Sequence, residues 1–245
     1  MSNGEGGGAP HAGPSIALVI PAFQAAATVP GVVERARRQL PGARVIVVDD
    51  GSDDGTAGAA EGAGASVLRH AENRGKGRAL ATGLAAAVAT GADAVVTLDA
   101  DGQHPPEAVP LLLEPVLAGT FDLVVGARAR DTGGMPRGRR LTNWLSSTLL
   151  SRAVGFVVPD SQCGFRAMRR EVAARVHPTG GRYEFETEFL FLAARDGFRI
   201  TGVAVPTVYD GARSHFRYGA DTLALAAVFL RYRRSILHGP EPAPR

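Results

Sequence analysis

Residues 94–104 read AVVTLDADGQH, an apolar run that ends in two aspartates. Residues 94–98 have the length and the β-branched content of a buried strand. Asp99 and Asp101, at positions i and i+2 beyond it, can converge on one hard cation, because Mg²⁺ and Mn²⁺ prefer carboxylate and phosphate oxygens. Gln103 and His104 could supply or hold a further ligand. The alternative is a solvated turn before the next helix, but acids directly after a buried strand favour a metal site.

Strands and helices alternate on both sides of this segment. The pattern predicts strands at residues 16–21, 44–48, 66–69, 94–98 and 121–126. It predicts helices at residues 28–40, 75–90 and 106–117, with a short helix after Asp53. Such alternation implies right-handed crossovers and an α/β fold, with a mostly parallel sheet that has helices on both faces. Ligands of such sheets bind beyond the carboxyl ends of the strands, where this chain carries its aspartates.

The second half of the chain has a different pattern. An arginine-headed amphipathic helix is predicted at residues 137–158, followed by a polar loop up to residue 166. Beyond it we predict helices at residues 171–176 and 185–196, a strand at 200–205, a polar loop at 209–218 and a last helix from 221. Residues 1–14 and 238–245 are rich in Gly, Ala and Pro, which predicts disordered tails.

Composition narrows the possible classes of protein. The chain has 245 residues, of which 45% are hydrophobic and 21% charged, so we expect one folded domain and exclude extensive disorder. Cys163 is the only cysteine, which excludes a disulfide framework. The longest apolar run, residues 223–230, is too short to cross a bilayer, and no signal peptide opens the chain. We therefore expect a cytoplasmic protein, either soluble or peripheral on the cytoplasmic face of a membrane.

Basic residues are distributed unevenly. Lys76 is the only lysine among 27 basic residues, and the net charge is +3. Six arginines and one aspartate fall within residues 128–152, a patch that suits a phosphate, a nucleic acid or an anionic membrane. A general preference for arginine would explain the same composition. Lys76 lies in the Gly-flanked loop 73–77, NRGKG, which suits the anionic part of a nucleotide but is not a Walker loop.

Other polar groups are weaker candidates. Asp49 and Asp50 follow the strand at 44–48, where a carboxylate can accept hydrogen bonds from a base or a ribose, although a helix cap is the alternative. The loop 160–166, DSQCGFR, and the segment around Arg217 each carry an arginine that could bind phosphate. Glu184, Glu186 and Glu188 lie on one predicted helix, where one could act as a base or all could be solvated.

Five motifs, in this order, resemble glycosyltransferase family 2, above all its dolichyl- and polyprenyl-phosphate sugar transferases. They are VIPAF at 19–23, VVDDGSDDGT at 47–56, NRGKG at 73–77, LDADGQHPP at 98–106 and DSQCGFR at 160–166. The resemblance covers about residues 15–220 and implies a GT-A fold, with a nucleotide-sugar half at 15–127 and an acceptor half at 128–220. It also implies an inverting sugar transfer that needs Mg²⁺ or Mn²⁺. Residues 221–237 would then form a C-terminal amphipathic helix.

The resemblance assigns roles to individual residues. Binding of the metal and the diphosphate falls to Asp99, Asp101 and Gln103. Binding of the nucleotide falls to Pro21, Ala22, Asp49, Asp50, Lys76 and Asp99. Binding of the acceptor falls to Arg128, Arg139, Arg166 and Ser214, to which the argument from arginine chemistry adds Arg217. We expect the catalytic residues to be Asp101, Asp160 and Arg166. The chain departs from the family where Pro21 is followed by AFQA rather than by x-Tyr-Asn-Glu, and where Ser214-His215 stands for a Ser-Lys pair.

The acceptor decides which chemistry the chain needs. A phosphate acceptor is already an anion at neutral pH, so arginines that position it suffice. A sugar hydroxyl needs a general base, for which Asp160 or a glutamate of 184–188 is a candidate. Three other functions stay open: a nucleotidyltransferase, an arginine-rich binder of membranes or nucleic acid, and an inactive scaffold. We expect a nucleotide-sugar donor and a lipid-phosphate acceptor as partners, and no nucleic acid.

Overall fold

The computed structural model of the chain describes residues 13–128, 147–152, 158, 160–181, 184–206 and 227–232. Seven strands form one sheet: β1 (Ile16–Ala22), β2 (Arg44–Asp49), β3 (Ser66–Arg69), β4 (Ala94–Thr97), β5 (Leu123–Arg128), β6 (Arg166–Arg169) and β7 (Ile200–Val205). The helices are α1 (Val29–Gln39), α2 (Thr56–Gly62), α3 (Lys76–Ala89), α4 (Val109–Leu117), α5 (147–152), α6 (Arg170–Arg175), α7 (Glu184–Arg195) and α8 (227–231). The order of the strands across the sheet is β3-β2-β1-β4-β6-β5-β7.

The first half of the sheet is parallel, because helices carry the chain back to the same edge after each strand. β1 pairs in parallel with β2 on one side and with β4 on the other. β1 and β4 are almost wholly buried, which explains their continuous apolar sequences, whereas the edge strand β3 is largely exposed. From β1 to β3 the chain adds strands toward one edge of the sheet, and β4 is then added on the other side of β1. Such a change in the order of the strands opens a crevice at the carboxyl ends of β1 and β4.

The helices lie in two layers on the sheet. α3 contacts α6 and α7, and it packs on β1 and β2, where Gly83 lets the helix approach Val19 and Val48 closely. α1 contacts α2 and the 3₁₀ turn Pro106–Ala108 that leads into α4. The predicted α/β fold, a mostly parallel sheet covered by helices, is thereby confirmed.

β6 is the main departure from the expected order of elements. The sequence predicts a polar loop up to Arg166, but Arg166–Arg169 is a strand that lies antiparallel between β4 and β5. Thr97, the last residue of β4, pairs with Arg166, the first residue of β6. The loop 160–165 before β6 is therefore delivered to the carboxyl end of β4, which brings the second half of the chain to the site.

Some predictions concern residues that the structure does not describe. The tails lie outside the described residues, apart from residues 13 and 14. So do residues 129–146, which form most of the arginine-rich stretch 128–152, and the predicted polar loop 209–218. Of the amphipathic helix predicted at 137–158, residues 147–152 are helical, whereas residue 158 is described and is not helical, so the prediction is wrong at that end. Residues 227–231 of the predicted last helix are helical. Among the described residues, no helix combines the length and the apolar character needed to cross a membrane.

Candidate active site

Three strand ends meet at the crevice between β1 and β4. Ala22 ends β1 and pairs with Asp49, which ends β2. The backbone N–H of Leu98 donates to the carbonyl of Val19, so the chain leaves β4 alongside β1 just before Asp99. The edge where the sequence predicts ligand binding therefore carries Pro21, Ala22, Asp49 and Asp99 side by side.

Lys76 joins the two halves of the chain at this edge. Its Nζ lies 2.8 Å from Oδ1 of Asp99 and 2.8 Å from Oε1 of Glu186 on α7. Burial alone would lower the pKa of Lys76, but the carboxylates of Asp99 and Glu186 outweigh it and hold that pKa above its usual value. Lys76 thus stays a cation at the first residue of α3, and its ammonium group contacts Asp99, the second residue beyond β4.

Asp99 and Asp101 supply carboxylate oxygens, the ligand type that a hard cation prefers, from one loop. They flank the buried Ala100 in the loop after β4, and Asp101 is exposed while Asp99 is half-buried. Oδ1 of Asp101 accepts a hydrogen bond of 2.9 Å from the backbone N–H of Gln103, which fixes the turn. The donor set is all oxygen, which fits Mg²⁺ or Mn²⁺. No cluster of three or more acidic, His or Cys side chains suited to a metal occurs in the described part of the chain, so further ligands would have to come from a bound diphosphate and water.

Gly164 gives the Asp99 carboxylate its space. A Cβ atom at Gly164 would lie 2.6 Å from Oδ1 and 2.9 Å from Oδ2 of Asp99. The carbonyl of Gly164 also accepts a 2.7 Å hydrogen bond from the hydroxyl of Thr97, which holds the loop before β6 against the end of β4. Because Gly164 has no side chain, the backbone of the loop before β6 can lie in contact with the Asp99 carboxylate.

Asp49 and Asp50 differ in their surroundings. Oδ1 of the buried Asp49 accepts a hydrogen bond from the backbone N–H of Ser52, and Oδ2 lies 3.4 Å from Nε of Arg69. That second oxygen accepts no hydrogen bond from the described residues. It is consequently a candidate acceptor for a donor group of a ligand, as the sequence predicts for Asp49.

Asp50 holds the loop that carries Lys76. Its carboxylate accepts hydrogen bonds from the backbone N–H groups of Arg74, at 3.0 Å, and Gly75, at 2.8 Å. Oδ1 also lies 2.6 Å from Nδ1 of His70, whose Nε2 lies 3.0 Å from the hydroxyl of Thr82 on α3. A nucleotide-binding role for Asp50 stays a prediction, and the geometry favours an indirect role, in which Asp50 orients the residues just before Lys76.

Arg166 is buried rather than displayed to an acceptor, with 3% of its surface exposed. Its guanidinium donates hydrogen bonds to the backbone carbonyls of Cys163, Ser161 and Glu186, at 2.9, 3.2 and 2.9 Å. Burial lowers the pKa of the Arg166 guanidinium from its ordinary value. The catalytic and acceptor-binding roles expected of Arg166 stay predictions, and its contacts favour bracing of the loop 160–165 against α7.

Two further predicted site residues, Asp160 and Arg128, are among the described residues. Asp160, at the start of the same loop, is buried, and its Oδ1 accepts a hydrogen bond from the backbone N–H of Gln162. Arg128 ends β5. The remaining predicted acceptor residues lie outside the described residues: Arg139, Ser214 and Arg217.

The sequence offers Glu186 and His104 as candidates, but it does not show which residues they contact. Glu186 is one of three alternating glutamates, and only packing reveals that it is 2% exposed and faces Lys76. His104 follows the aspartate loop, and its Nε2 lies 3.5 Å from the buried thiol of Cys163. Its ring also stacks on Phe165, with centroids 5.5 Å apart. Contacts of this kind join loops that are about 60 residues apart, which local patterns do not report.

Comparison with known proteins agrees with this geometry. The family model of glycosyl transferase family 2 matches residues 17–176. An undecaprenyl-phosphate mannosyltransferase of Micrococcus luteus is 33% identical over 204 residues, which cover 79% of this chain and 83% of the relative. A polyprenol monophosphomannose synthase of Mycolicibacterium smegmatis is 31% identical over 201 residues, which cover 77% of this chain and 75% of the relative.

A solved structure extends the likeness to the fold. Glucosyl-3-phosphoglycerate synthase of Mycobacterium tuberculosis, in complex with Mn²⁺, UDP and phosphoglyceric acid, superimposes with a TM-score of 0.73. It is 28% identical, and the match covers 90% of this chain and 79% of that one. The family match runs from β1 to the end of α6 and includes the aspartate loop and all five motifs, so the resemblance seen in the motifs is confirmed. The chain belongs to glycosyltransferase family 2 and is a glycosyltransferase with an α/β fold of the GT-A type.

Proposed function

We propose that this chain transfers a sugar from a nucleotide-sugar donor to a polyprenyl phosphate, with inversion at the anomeric carbon. The observation that carries the proposal is the ion pair between Lys76 and Asp99 at the carboxyl end of β4, next to Asp101. The ion pair places a fixed cation beside the aspartate loop, at the crevice between β1 and β4. A cation and a site for a divalent metal are the groups that bind a nucleoside diphosphate. The names of the mannosyltransferase and synthase relatives support the acceptor class.

Residues of the first half would bind the donor. The unsatisfied Oδ2 of Asp49 is suited to a base N–H or a ribose hydroxyl. Pro21 and Ala22, at the neighbouring end of β1, would line the same subsite. Lys76, held in place by the Asp50 network, would bind the diphosphate. The complex of the solved relative with UDP supports a uridine donor as the first to be tested.

Asp99, Asp101 and Gln103 would hold Mg²⁺ or Mn²⁺. A divalent ion bound there neutralises the charge that develops on the departing nucleoside diphosphate. The backbone contributes orientation: the backbone N–H of Gln103 fixes the Asp101 carboxylate, and Gly164 leaves room for that of Asp99. Metal complexes of the solved relative, with Mn²⁺ in one case and Mg²⁺ in another, support this assignment.

The acceptor phosphate would attack from the opposite face of the sugar. A phosphate oxygen forms the new bond to the anomeric carbon while the bond to the diphosphate breaks, and the nucleoside diphosphate leaves with the electron pair. Because the acceptor is already an anion, no general base is required, and positioning suffices. Arg128 and Arg139 are the proposed acceptor residues. Arg166 would contribute indirectly, by bracing the loop 160–165. Contact with a membrane surface would deliver the lipid.

A second candidate is transfer to a hydroxyl of a small phosphorylated acceptor. The likeness to the synthase crystallised with phosphoglyceric acid favours it. Glu186 is the base candidate that the geometry supports best, since Oε1 lies 2.8 Å from Lys76 and the buried Oε2 accepts no hydrogen bond from the described residues. Asp160, the other candidate, lies in the loop before β6.

The test is sugar transfer with Mn²⁺ and a panel of UDP- and GDP-sugars, to polyprenyl phosphate in detergent and, separately, to phosphoglycerate. Lipid-linked product from one donor is the expected result. Asp101→Asn should abolish it, whereas Asp196→Asn, which changes an aspartate at the far end of α7, should not. Full activity of Asp101→Asn would overturn the metal assignment.

Glu186→Gln separates the two acceptors. The amide oxygen still accepts a hydrogen bond from Lys76, so transfer to a phosphate should keep most of its kcat. Transfer to a hydroxyl should fall by at least about 100-fold, because a general base is lost. Product from phosphoglycerate alone, with this loss in Glu186→Gln, would replace the first proposal by the second.

A further inference from the structure

α8, which lies beyond the residues matched by the family model, is joined to the donor half through one buried carboxylate. Glu188 on α7 is 1% exposed. Its Oε1 accepts hydrogen bonds from Nη1 of Arg231, at 2.8 Å, and from the hydroxyl of Tyr232, at 3.1 Å. Nη1 of Arg231 also donates to the hydroxyl of Thr179, at 2.7 Å. The ring of Tyr232 stacks on Phe191, with centroids 5.1 Å apart.

The other oxygen of Glu188 holds residues 179–181, which we name the Thr-Gly-Gly loop. Oε2 accepts hydrogen bonds from the backbone N–H groups of Thr179, at 2.9 Å, and Gly180, at 2.8 Å. The hydroxyl of Thr179 also donates to Oε1, at 3.1 Å, so one carboxylate receives donors both from the end of α8 and from this loop. Burial would raise the pKa of Glu188, but these hydrogen bonds lower it below its usual value, so the group remains charged.

The Thr-Gly-Gly loop in turn lies against the first turn of α3. The N–H of Gly77 donates a 2.9 Å hydrogen bond to the carbonyl of Gly181. A Cβ atom at Gly77 would lie 2.8 Å from the carbonyl oxygen of Gly180, so the two backbones are in direct contact. The residue before Gly77 is Lys76, the cation of the donor site. A continuous path of hydrogen bonds thus runs from Arg231 to the backbone next to Lys76.

We infer that Arg231 and Tyr232 are positioning residues for donor binding, which act through Glu188 and the Thr-Gly-Gly loop on the start of α3. The inference rests on the proposed nucleotide-sugar function. Its physical basis is that a buried carboxylate deprived of a charged donor must find another partner or draw in water. Either response loosens the hydrogen bonds that the same carboxylate makes to the loop.

A different role for α8 would be contact with a membrane. Leu230, next to Arg231 on the same helix, is 64% exposed. Leu230→Ala therefore removes apolar surface from α8 and leaves its polar contacts with Glu188 unchanged. It is the matched control for a change at Arg231.

The experiment measures binding of UDP and of GDP, with Mn²⁺, to the full chain by calorimetry without lipid or detergent. Arg231→Ala is expected to weaken binding of the preferred nucleotide about fivefold, in the range seen for substitutions along coupled networks. Arg231→Lys can still donate to both Glu188 and Thr179 and should restore binding to within about twofold. Tyr232→Phe should weaken binding in the same direction, and Leu230→Ala should leave it unchanged.

Steady-state transfer supplies the second readout. Arg231→Ala should raise the KM for the donor more than it lowers kcat, with a circular dichroism spectrum like that of the unsubstituted chain. Equal binding by Arg231→Ala and the unsubstituted chain would overturn the inference alone. No nucleotide binding by the unsubstituted chain would remove the proposed function and the inference together. Losses confined to assays with lipid and shared by Leu230→Ala would assign α8 to the membrane instead.

Discussion

Lys76 illustrates how a single residue type carries information. In a chain with 27 basic residues and one lysine, the lysine stands where a compact cation must fit between two carboxylates, each 2.8 Å from it. An arginine presents a wide, planar fork and would direct its donors in fixed directions, so it would not replace the ammonium without movement of Asp99 or Glu186. The composition thus singles out Lys76, and its contacts with Asp99 and Glu186 explain why a lysine stands at this position.

Gly164→Ala tests the geometry of Asp99 at the scale of one methyl group. The added Cβ would lie within 3 Å of both carboxylate oxygens of Asp99, so that side chain must rotate away from its present position. Because the displaced atoms are the end of a side chain, the free energy of unfolding should change by less than about 2 kcal/mol. Apparent affinity for Mn²⁺, measured from the metal dependence of transfer, should fall about tenfold or more.

Gly58→Ala is the control for that change. Gly58 lies in α2, with nothing within 4 Å of an added Cβ, so alanine should add up to about 1 kcal/mol of stability. Its metal dependence should equal that of the unsubstituted chain. An unaltered affinity for Mn²⁺ in Gly164→Ala would show that the position of Asp99 does not control metal binding.

Elements with strong local patterns could be predicted, and the elements that depend on partners could not. β7, at Ile200–Val205, and β3, at Ser66–Arg69, were predicted to the residue because apolar and β-branched runs are bounded by turn signals. β6 was missed, since Arg-Ala-Met-Arg has no strand signature and is a strand only because β4 and β5 flank it. Its flanking strands override its weak propensity.

The candidate site divides in the same way. Asp49, Asp99 and Asp101 could be predicted, because each follows a strand whose end is visible in the sequence. The contacts of Glu186, Gly164 and Glu188 could not, because they depend on packing between distant segments: α7 against α3, the loop before β6 against the aspartate loop, and α8 against α7. Their partners are up to about 110 residues away in the chain, a separation over which hydrophobic periodicity carries no information.

The contact between α3 and the Thr-Gly-Gly loop can be tested with Gly77→Ala. A Cβ at Gly77 would meet the backbone of Gly180 and Gly181 at 2.8 Å and Cβ of Phe185 at 2.9 Å, and backbone atoms cannot rotate away. The loop should separate from α3 at a cost of about 1–3 kcal/mol in the free energy of unfolding. Hydrogen exchange at the N–H of Gly77 and Gly180 should accelerate, and nucleotide binding should weaken.

Gly31→Ala provides the comparison for this element. Gly31 is a helical glycine of α1 with open space around an added Cβ, so the substitution should not destabilise the chain. Unchanged exchange at Gly77 in Gly77→Ala would contradict the close packing of α3 and the loop, whatever the effect on activity.

An ion pair at the far edge of the sheet contributes to the pH dependence of the free energy of unfolding of the whole molecule. Asp122, just before β5, accepts hydrogen bonds from the backbone N–H and from Nε and Nη2 of Arg199, just before β7, at 2.8 to 3.0 Å. Arg169, at the end of β6, donates its N–H to the carbonyl of Asp122. Three strands that are distant in sequence are thereby joined at one residue, Asp122, at the edge opposite the candidate active site.

The hydrogen bonds from Arg199 hold the pKa of Asp122 below its usual value, which fixes the sign of the pH dependence. The folded chain keeps this carboxylate ionised where the unfolded chain, with a pKa of about 3.9, takes up a proton. The stabilisation is therefore complete above about pH 4 and is lost as the pH falls through the lower pKa of the folded state.

Asp122→Asn should lower the free energy of unfolding at pH 7 by about 2 kcal/mol and flatten its decline below pH 4, measured by urea denaturation. Arg199→Met should produce part of the same flattening, because the backbone N–H of residue 199 still donates to Asp122 and Nη1 of Arg169 lies 3.6 Å from its carboxylate. The double variant should lose less than the sum of the two single losses, because both changes remove the same side-chain hydrogen bonds. Parallel declines in acid for Asp122→Asn and the unsubstituted chain would exclude Asp122 as the group responsible.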